Sequence, residues 1–142
     1  MSDTKRKILE TLQRGRGFLA SLATITEDGA PWARYVTGTI DDELTIRIAT
    51  SLHSKKVAHV RARPEVHLAC GNIDPSVEAP YFQIEATAEI STDPEEKQAI
   101  WNDGLAFFFQ TPENPDWCVV KARPHRITVH SMTSMDTEVW TK

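Results

Sequence analysis

The chain has 142 residues, 40% of them hydrophobic and 25% charged, with a net charge of −4 and a pI near 5.7. That size predicts one domain, residues 1–142, able to bury a core but only about two-thirds of its unfolded surface. The acidic balance argues against a nucleic-acid partner held by phosphate contacts, the ordinary composition against disorder, and the lack of any apolar run near the ~18 residues of a membrane span against a membrane helix.

Asp3 to Gln13 places Ile8, Leu9 and Leu12 on one helical face, ahead of Gly15 and Gly17. An amphipathic helix is therefore predicted to open the domain, with Lys5, Arg6, Lys7, Arg14 and Arg16 as its solvated basic face and end. Phe18 to Thr26 and Pro31 to Thr39 read as two strands joined by the turn Glu27-Asp28-Gly29-Ala30. Alternation along the second strand sets Trp32, Arg34, Val36 and Gly38 on one face and Ala33, Tyr35, Thr37 and Thr39 on the other. A guanidinium in such company either snorkels to the rim or meets an anion. After a turn at Asp41-Asp42, a third strand through Leu44, Ile46 and Ile48 is predicted to neighbour the Arg34 strand.

The next stretch, Ile48 to Val66, carries the strongest functional signal. An apolar run ends at Ala49, the hydroxyl residues Thr50, Ser51 and Ser54 follow, and Lys55 and Lys56 then fall in the first turn of a short helix from Ser54 to about Ala62, with Ser54 as its cap. Lysines are disfavoured at the positive end of a helix dipole, beside unpaired backbone N–H groups, but a phosphate there turns the penalty into attraction. Two readings fit this stretch: a solvated, capped helix with surface lysines, or an anion site.

Pro64 stops that helix, and Glu65 to Cys70 reads as a fourth strand. Asn72 to Pro80 is a loop, and Tyr81 to Ile90 is a strand of period two with one wet or functional face. Asp93 as cap and Pro94 at the first helical position start a further helix, which Asn102-Asp103-Gly104 divides in two. Thr111 to Asp116 connects to two closing strands, Trp117 to Ala122 and Arg126 to Met132, separated at Pro124. Six or seven strands with three or four helices predict a mainly β, α+β fold, a barrel or a sandwich.

The five histidines, His53, His59, His67, His125 and His130, form no H-E-x-x-H pattern, and His67 and Cys70 would point to opposite strand faces, so no metal site is expected. Two cysteines, Cys70 and Cys118, sit in apolar runs without a C-x-x-C motif or a signal peptide ahead of them, which predicts buried thiols in a reducing, cytoplasmic compartment. There is no G-x-S-x-G elbow, and the six glycines are scattered rather than gathered in a phosphate loop. A bound phosphate must then rely on Arg34, the hydroxyls of Thr50 to Ser54, and Lys55 and Lys56. Trp32, Tyr35, Trp117 and Trp140 could flank an aromatic ring system, although each such residue alone is more often core or interface.

The run T-S-L-H-S-K-K from Thr50, followed by R-P-E-V from Arg63, resembles without a gap the pattern of the pyridoxamine 5'-phosphate oxidase-like, FMN-binding split β-barrels, and especially their short general-stress-protein branch. Arg34-Tyr35-Val36 resembles that family's Arg-x-Val strand. The resemblance implies a six- to seven-stranded antiparallel split β-barrel with three to four peripheral helices, FMN as cofactor, and a homodimer with FMN at the subunit interface. It places Arg34 on the FMN phosphate and the backbone of Tyr35 and Val36 against the isoalloxazine. Ala49, Thr50, Ser51, Ser54, Lys55 and Lys56 would complete the phosphate and ribityl site, with Tyr81 and Gln83 approaching from the second subunit.

His130 stands where the oxidases proper carry a flavin-contacting tryptophan, and Thr39 stands in place of their substrate-binding lysine. Their C-terminal arginine and histidine segment has no counterpart in Val139-Trp140-Thr141-Lys142, and Phe109 is followed by Gln110-Thr111-Pro112 where the short branch often has Phe-x-x-Gly. The implied function is an FMN-dependent oxidoreductase acting on a small-molecule redox substrate other than pyridoxamine 5'-phosphate. The alternatives are a non-catalytic flavin-binding electron carrier or sensor, or a split barrel that binds haem or a deazaflavin with His130 or His53 recruited near the pocket.

Overall fold

Alternation of side chains dictates the wall of the fold. In β5 (Pro80–Ser91), Phe82, Ile84, Ala86 and Ala88 are buried while Gln83, Glu85, Thr87 and Glu89 are exposed, as a strand with one face on a core requires. The computed structural model describes residues 1–142. Six further strands, β1 (Phe18–Ile25), β2 (Pro31–Ile40), β3 (Ile46–Ser51), β4 (Glu65–Gly71), β6 (Trp117–Ser131) and β7 (Thr137–Thr141), join β5 in one antiparallel sheet of order β3-β2-β1-β4-β5-β6-β7. Pairing of β3 with β6 closes the first six into a barrel and leaves β7 as an extra strand on β6. The split β-barrel expected from the resemblance is the fold observed.

Gly29, at φ +85°, makes the turn of the β1–β2 hairpin, a left-handed conformation that side chains resist. Inside the barrel, Leu22, Leu68, Ile84 and Ile127 are fully buried, each such side chain stabilising by about 1.5–3 kcal/mol relative to exposure. Helix α1 (Asp3–Leu12) adds Ile8, Leu9 and Leu12 to the same core cluster. Three more helices lie outside: α2 (Lys55–Ala62), α3 (Pro94–Ala99) and α4 (Asp103–Phe109). Asp93 caps α3 by accepting from the Glu95 amide, and Asn102 interrupts the helical run by capping α4 through the Leu105 amide. No helix is long and apolar enough to cross a membrane.

Three local expectations are corrected. Pro124 does not separate two strands, because β6 runs through it for 15 residues. The register passes from Glu85↔Arg126 to Ala86↔Pro124 at a bulge, where a residue without an N–H is tolerated. Strand β7 lies beyond the last strand foreseen, and Trp140 packs it against the core. Ser54 occupies the N-cap position of α2, but its side chain makes no capping bond and instead accepts from the Thr50 hydroxyl at 3.3 Å.

Candidate functional site

The site begins where two sequence neighbours part. Strands β2 and β3 pair only at Thr39↔Arg47 and Ile40↔Ile46. Beyond that point β3 follows β6, from Ile46↔Ala122 to Ser51↔Trp117, so the strands predicted as neighbours diverge. A cleft of about 640 Å3 lies along the divergence, lined by Tyr35, Thr37 and Thr39 of β2, Ala49, Thr50 and Ser51 of β3, and Lys56 of α2. Leu105, Phe108 and Phe109 of α4 form an apolar wall. Phe109 stacks on the buried Trp117 at 5.5 Å between ring centroids, which anchors α4 and leaves Phe108 two-thirds exposed at the cleft.

Two cations stand at the β3–α2 end. The Lys56 ammonium donates to Thr50 Oγ1 at 2.7 Å, and the Thr50 hydroxyl in turn donates a hydrogen bond to Ser54 Oγ. Burial, and then the positive charge of Arg34, hold the Lys56 pKa below the ordinary lysine value, with Cys118 acting weakly the other way. Arg34 reaches inward from β2, where its Nη1 donates to Thr24 Oγ1 at 2.7 Å and to the carbonyls of Leu22 and Trp32 at 3.3 Å. Burial pushes its pKa down. Neither cation belongs to an ion pair.

Two other cations line the cleft beside Lys56, Arg16 and Arg47, and of these Arg47 is neutralised. Its Nη1 meets Asp41 at 2.7 Å, its Nε meets Glu96 at 2.5 Å, and Lys121 joins the same Glu96 at 2.7 Å. These hydrogen bonds hold the Glu96 carboxyl down at about 2.

Of the residues singled out from sequence, Tyr35, Ala49, Thr50, Ser51 and Lys56 line the cleft. Arg34 and Ser54 stand behind it, Arg34 close enough for its charge to act on Lys56 and Ser54 bonded to Thr50. Val36 is buried in the core. Lys55 turns away from its neighbour, its ammonium lying 5.0 Å from the centre of the Trp32 ring. Tyr81, Gln83 and His130 form a separate cluster on β5 and β6: the Tyr81 and His130 rings stack at 4.7 Å, and His130 Nε2 and Gln83 Oε1 are 2.7 Å apart. None of the three lines the cleft. No three His, Cys, Asp or Glu side chains gather where they could hold a metal ion.

Sequence reasoning missed the α4 wall, Arg16 and the saturated Arg47. The run Phe107-Phe108-Phe109 was the available signal for the first, since three consecutive aromatics on a helix cannot all face one core.

The sequence profile of the pyridoxamine 5'-phosphate oxidase family matches residues 6–131. General stress protein 26 of Bacillus subtilis (strain 168) is 30% identical over 125 residues, which cover 88% of this chain and 86% of that protein. The crystal structure of General Stress Protein 26 from Bacillus anthracis superposes with a TM-score of 0.83 at 26% identity, covering 99% of this chain and 100% of the other. Two further structures share the fold at lower identity. One is a pyridoxamine 5'-phosphate oxidase-related, FMN binding protein from Nostoc punctiforme (TM-score 0.76, 16% identity, 99% and 90% coverage), the other a heme binding protein from Mycobacterium smegmatis (0.76, 17%, 99% and 59%). By the match of its sequence over residues 6–131 and by its split-barrel fold, the chain belongs to the pyridoxamine 5'-phosphate oxidase family.

Proposed function

We propose that residues 1–142 form one FMN-binding split-barrel domain that works as a cytoplasmic homodimer and oxidises or reduces a small molecule other than pyridoxamine 5'-phosphate. The observation that carries the reading is the pair Arg34 and Lys56, two partly buried cations without carboxylate partners beside an aromatic-walled cleft. The donor set fits FMN. A cleft of about 640 Å3 falls in the ordinary range for small-molecule sites, roughly 300–1,000 Å3, and cations with hydroxyls gathered near one end suit a phosphate and a polyol.

Lys56 and Arg34 would hold the phosphate, with Thr50, Ser51 and Ser54 supplying hydroxyl partners and Lys55 adding a more distant positive charge. Tyr35, Ala49 and the backbone at Val36 would meet the ring system, and Leu105 and Phe108 would exclude water from it. When bound, FMN supplies the electron or hydride chemistry, and the protein supplies binding, orientation and electrostatics. Thr39, uncharged where the oxidases proper carry a lysine, removes a cation that pyridoxamine 5'-phosphate would need. Leu19, Tyr35, Phe107 and Phe108 are exposed, an apolar surface suited to a second subunit, whose Tyr81, Gln83 and His130 would approach the flavin. Against haem, His130 is engaged by Gln83 and Tyr81, and no histidine lines the cleft.

The absorption spectrum of the protein as purified, followed by titration with FMN, tests the reading. Flavin bands, or their perturbation on adding FMN to colourless protein, are expected; colourless protein that leaves added FMN unperturbed overturns it. Anaerobic mixing of the yellow protein with NADH or NADPH then separates enzyme from carrier, since prompt bleaching reports hydride transfer from the nicotinamide to the bound flavin, and slow or absent bleaching favours the carrier.

A further inference from the structure

Arg34 is held by an arrangement that its role as a ligand does not by itself require. All three of its hydrogen bonds use one nitrogen, Nη1, and the shortest, 2.7 Å, goes to the hydroxyl of Thr24 on the adjoining strand β1. Thr24 is 1% exposed, so water does not share that hydroxyl. A hydroxyl has one hydrogen to give, and a guanidinium can only donate. The Thr24 oxygen therefore accepts from Arg34, and its hydrogen must go elsewhere. The other polar atom in contact is Nδ1 of His59, on α2, at 2.8 Å.

That chain of donors fixes the imidazole. Nδ1 must be bare to accept from Thr24, which puts the ring proton on Nε2. A proton on Nδ1 would give Thr24 a second donor and strand its buried hydroxyl hydrogen beside a cation. Trp32 holds the imidazole from another side, edge-on at 5.9 Å between ring centres, and the Trp32 carbonyl is itself one of the acceptors for Arg34. Arg34, Thr24, His59 and Trp32 thus form a closed set around one guanidinium nitrogen, and Nε and Nη2 are left free of protein acceptors.

We propose that Thr24 and His59 are positioning residues for Arg34: the imidazole directs the Thr24 hydroxyl, the hydroxyl anchors Nη1, and the guanidinium meets a phosphate already oriented. This rests on the reading of Arg34 as a phosphate ligand. Preorganisation of this kind raises affinity by removing the entropic cost of ordering a long side chain at the moment of binding. Neither residue lines the cleft, so their effect should reach the phosphate only through Arg34.

The test uses the full chain freed of flavin, with equilibrium affinities for FMN and riboflavin and a ¹⁵N spectrum of its histidines. Thr24→Val, which keeps the shape and loses the hydroxyl, should weaken FMN about tenfold, at the low end of the loss when a ligand's supporting residue is removed. Riboflavin should change by less than about twofold, since it lacks the group that Arg34 would bind. Thr24→Ser should restore FMN binding, and His59→Phe should lower it by about threefold, removing one step of the chain. In the unsubstituted protein at about pH 8, where ordinary histidine is neutral, the His59 signals should show Nδ1 unprotonated and Nε2 protonated. A proton on Nδ1, or a Thr24→Val protein with an unaltered FMN-to-riboflavin ratio, overturns the proposal. Arg34→Met separates the layers: if it lowers the ratio and Thr24→Val does not, only the positioning pair fails, and if neither does, the phosphate reading fails with it.

Discussion

Arg47 and Lys121 meet the carboxylates of Asp41 and Glu96, whereas the hydrogen bonds of Arg34 and Lys56 go to hydroxyl and carbonyl oxygens alone. Arg47 and Lys56 line the same cleft. The first group is complete within the protein, tying the β2–β3 turn, α3 and β6 together. The second places two positive charges near each other, and both have depressed pKa values. Like charges brought together out of water cost free energy unless an anion compensates them. A balanced cluster reads as structure, and an unbalanced one as a site.

The largest test of that contrast removes charge from each cluster in turn. Lys56→Ala should cost FMN about 1.5–3 kcal/mol, the range for a sheltered charge-assisted contact, with little change in riboflavin binding. Lys55→Ala should cost much less, because its ammonium lies over Trp32. Titration calorimetry with both ligands measures this, and equal losses for FMN and riboflavin would sink the phosphate assignment.

Glu96→Gln should act on stability instead. It leaves the partly buried Arg47 and Lys121 short of a carboxylate, at a cost of about 2 kcal/mol and a melting temperature lower by roughly 7 °C. The FMN-to-riboflavin ratio should stay as it was; a change as large as that of Lys56→Ala would erase the distinction between the clusters. The folded Glu96 carboxyl, at about 2, lies below the ordinary glutamate value of about 4.3. Its stabilisation is therefore present above the ordinary value and lost as pH falls through about 2. Urea unfolding from pH ~6 downward should show a flatter dependence for Glu96→Gln in that window.

A smaller effect is expected in the alkaline range. Lys56 binds an anion only while protonated, and its pKa is lowered, first by burial and then by Arg34. The FMN-to-riboflavin affinity ratio should thus begin to fall below the ~10.4 of an ordinary lysine, and Lys56→Met should remove that decline. Smallest of all is the response of the thiols. Burial pushes Cys70 up to about 12 and raises Cys118 as well, so neither should react with a thiol reagent at neutral pH until the protein unfolds, as mass measurement after brief labelling would show.

Much of this molecule was legible in its residues because the signals are local. Asp28-Gly29 fixed the first hairpin, the alternation from Tyr81 onward fixed β5, and Asn102-Asp103-Gly104 marked the division between α3 and α4. The stretch from Thr50 to Lys56 could be singled out because hydroxyls and lysines at a helix start are chemically conspicuous. Pro124 misled because a proline argues against a continuous strand only where the ladder needs its N–H, and the bulge opposite Glu85 and Ala86 removes that need.

The sequence alone determined which groups exist and which face of each strand they occupy, since backbone periodicity is set within a few residues. Tertiary structure decided which cations remain unpaired. Arg34 and Arg47 look alike in sequence, one on β2 and one on β3. Only closure of the barrel through β3 and β6, and the seating of α3, bring Glu96 to Arg47, whereas β1 and α2 bring Arg34 a threonine and a histidine. Charge compensation acts over a few ångströms between residues tens of positions apart, so it is fixed by the fold and not by the local chain.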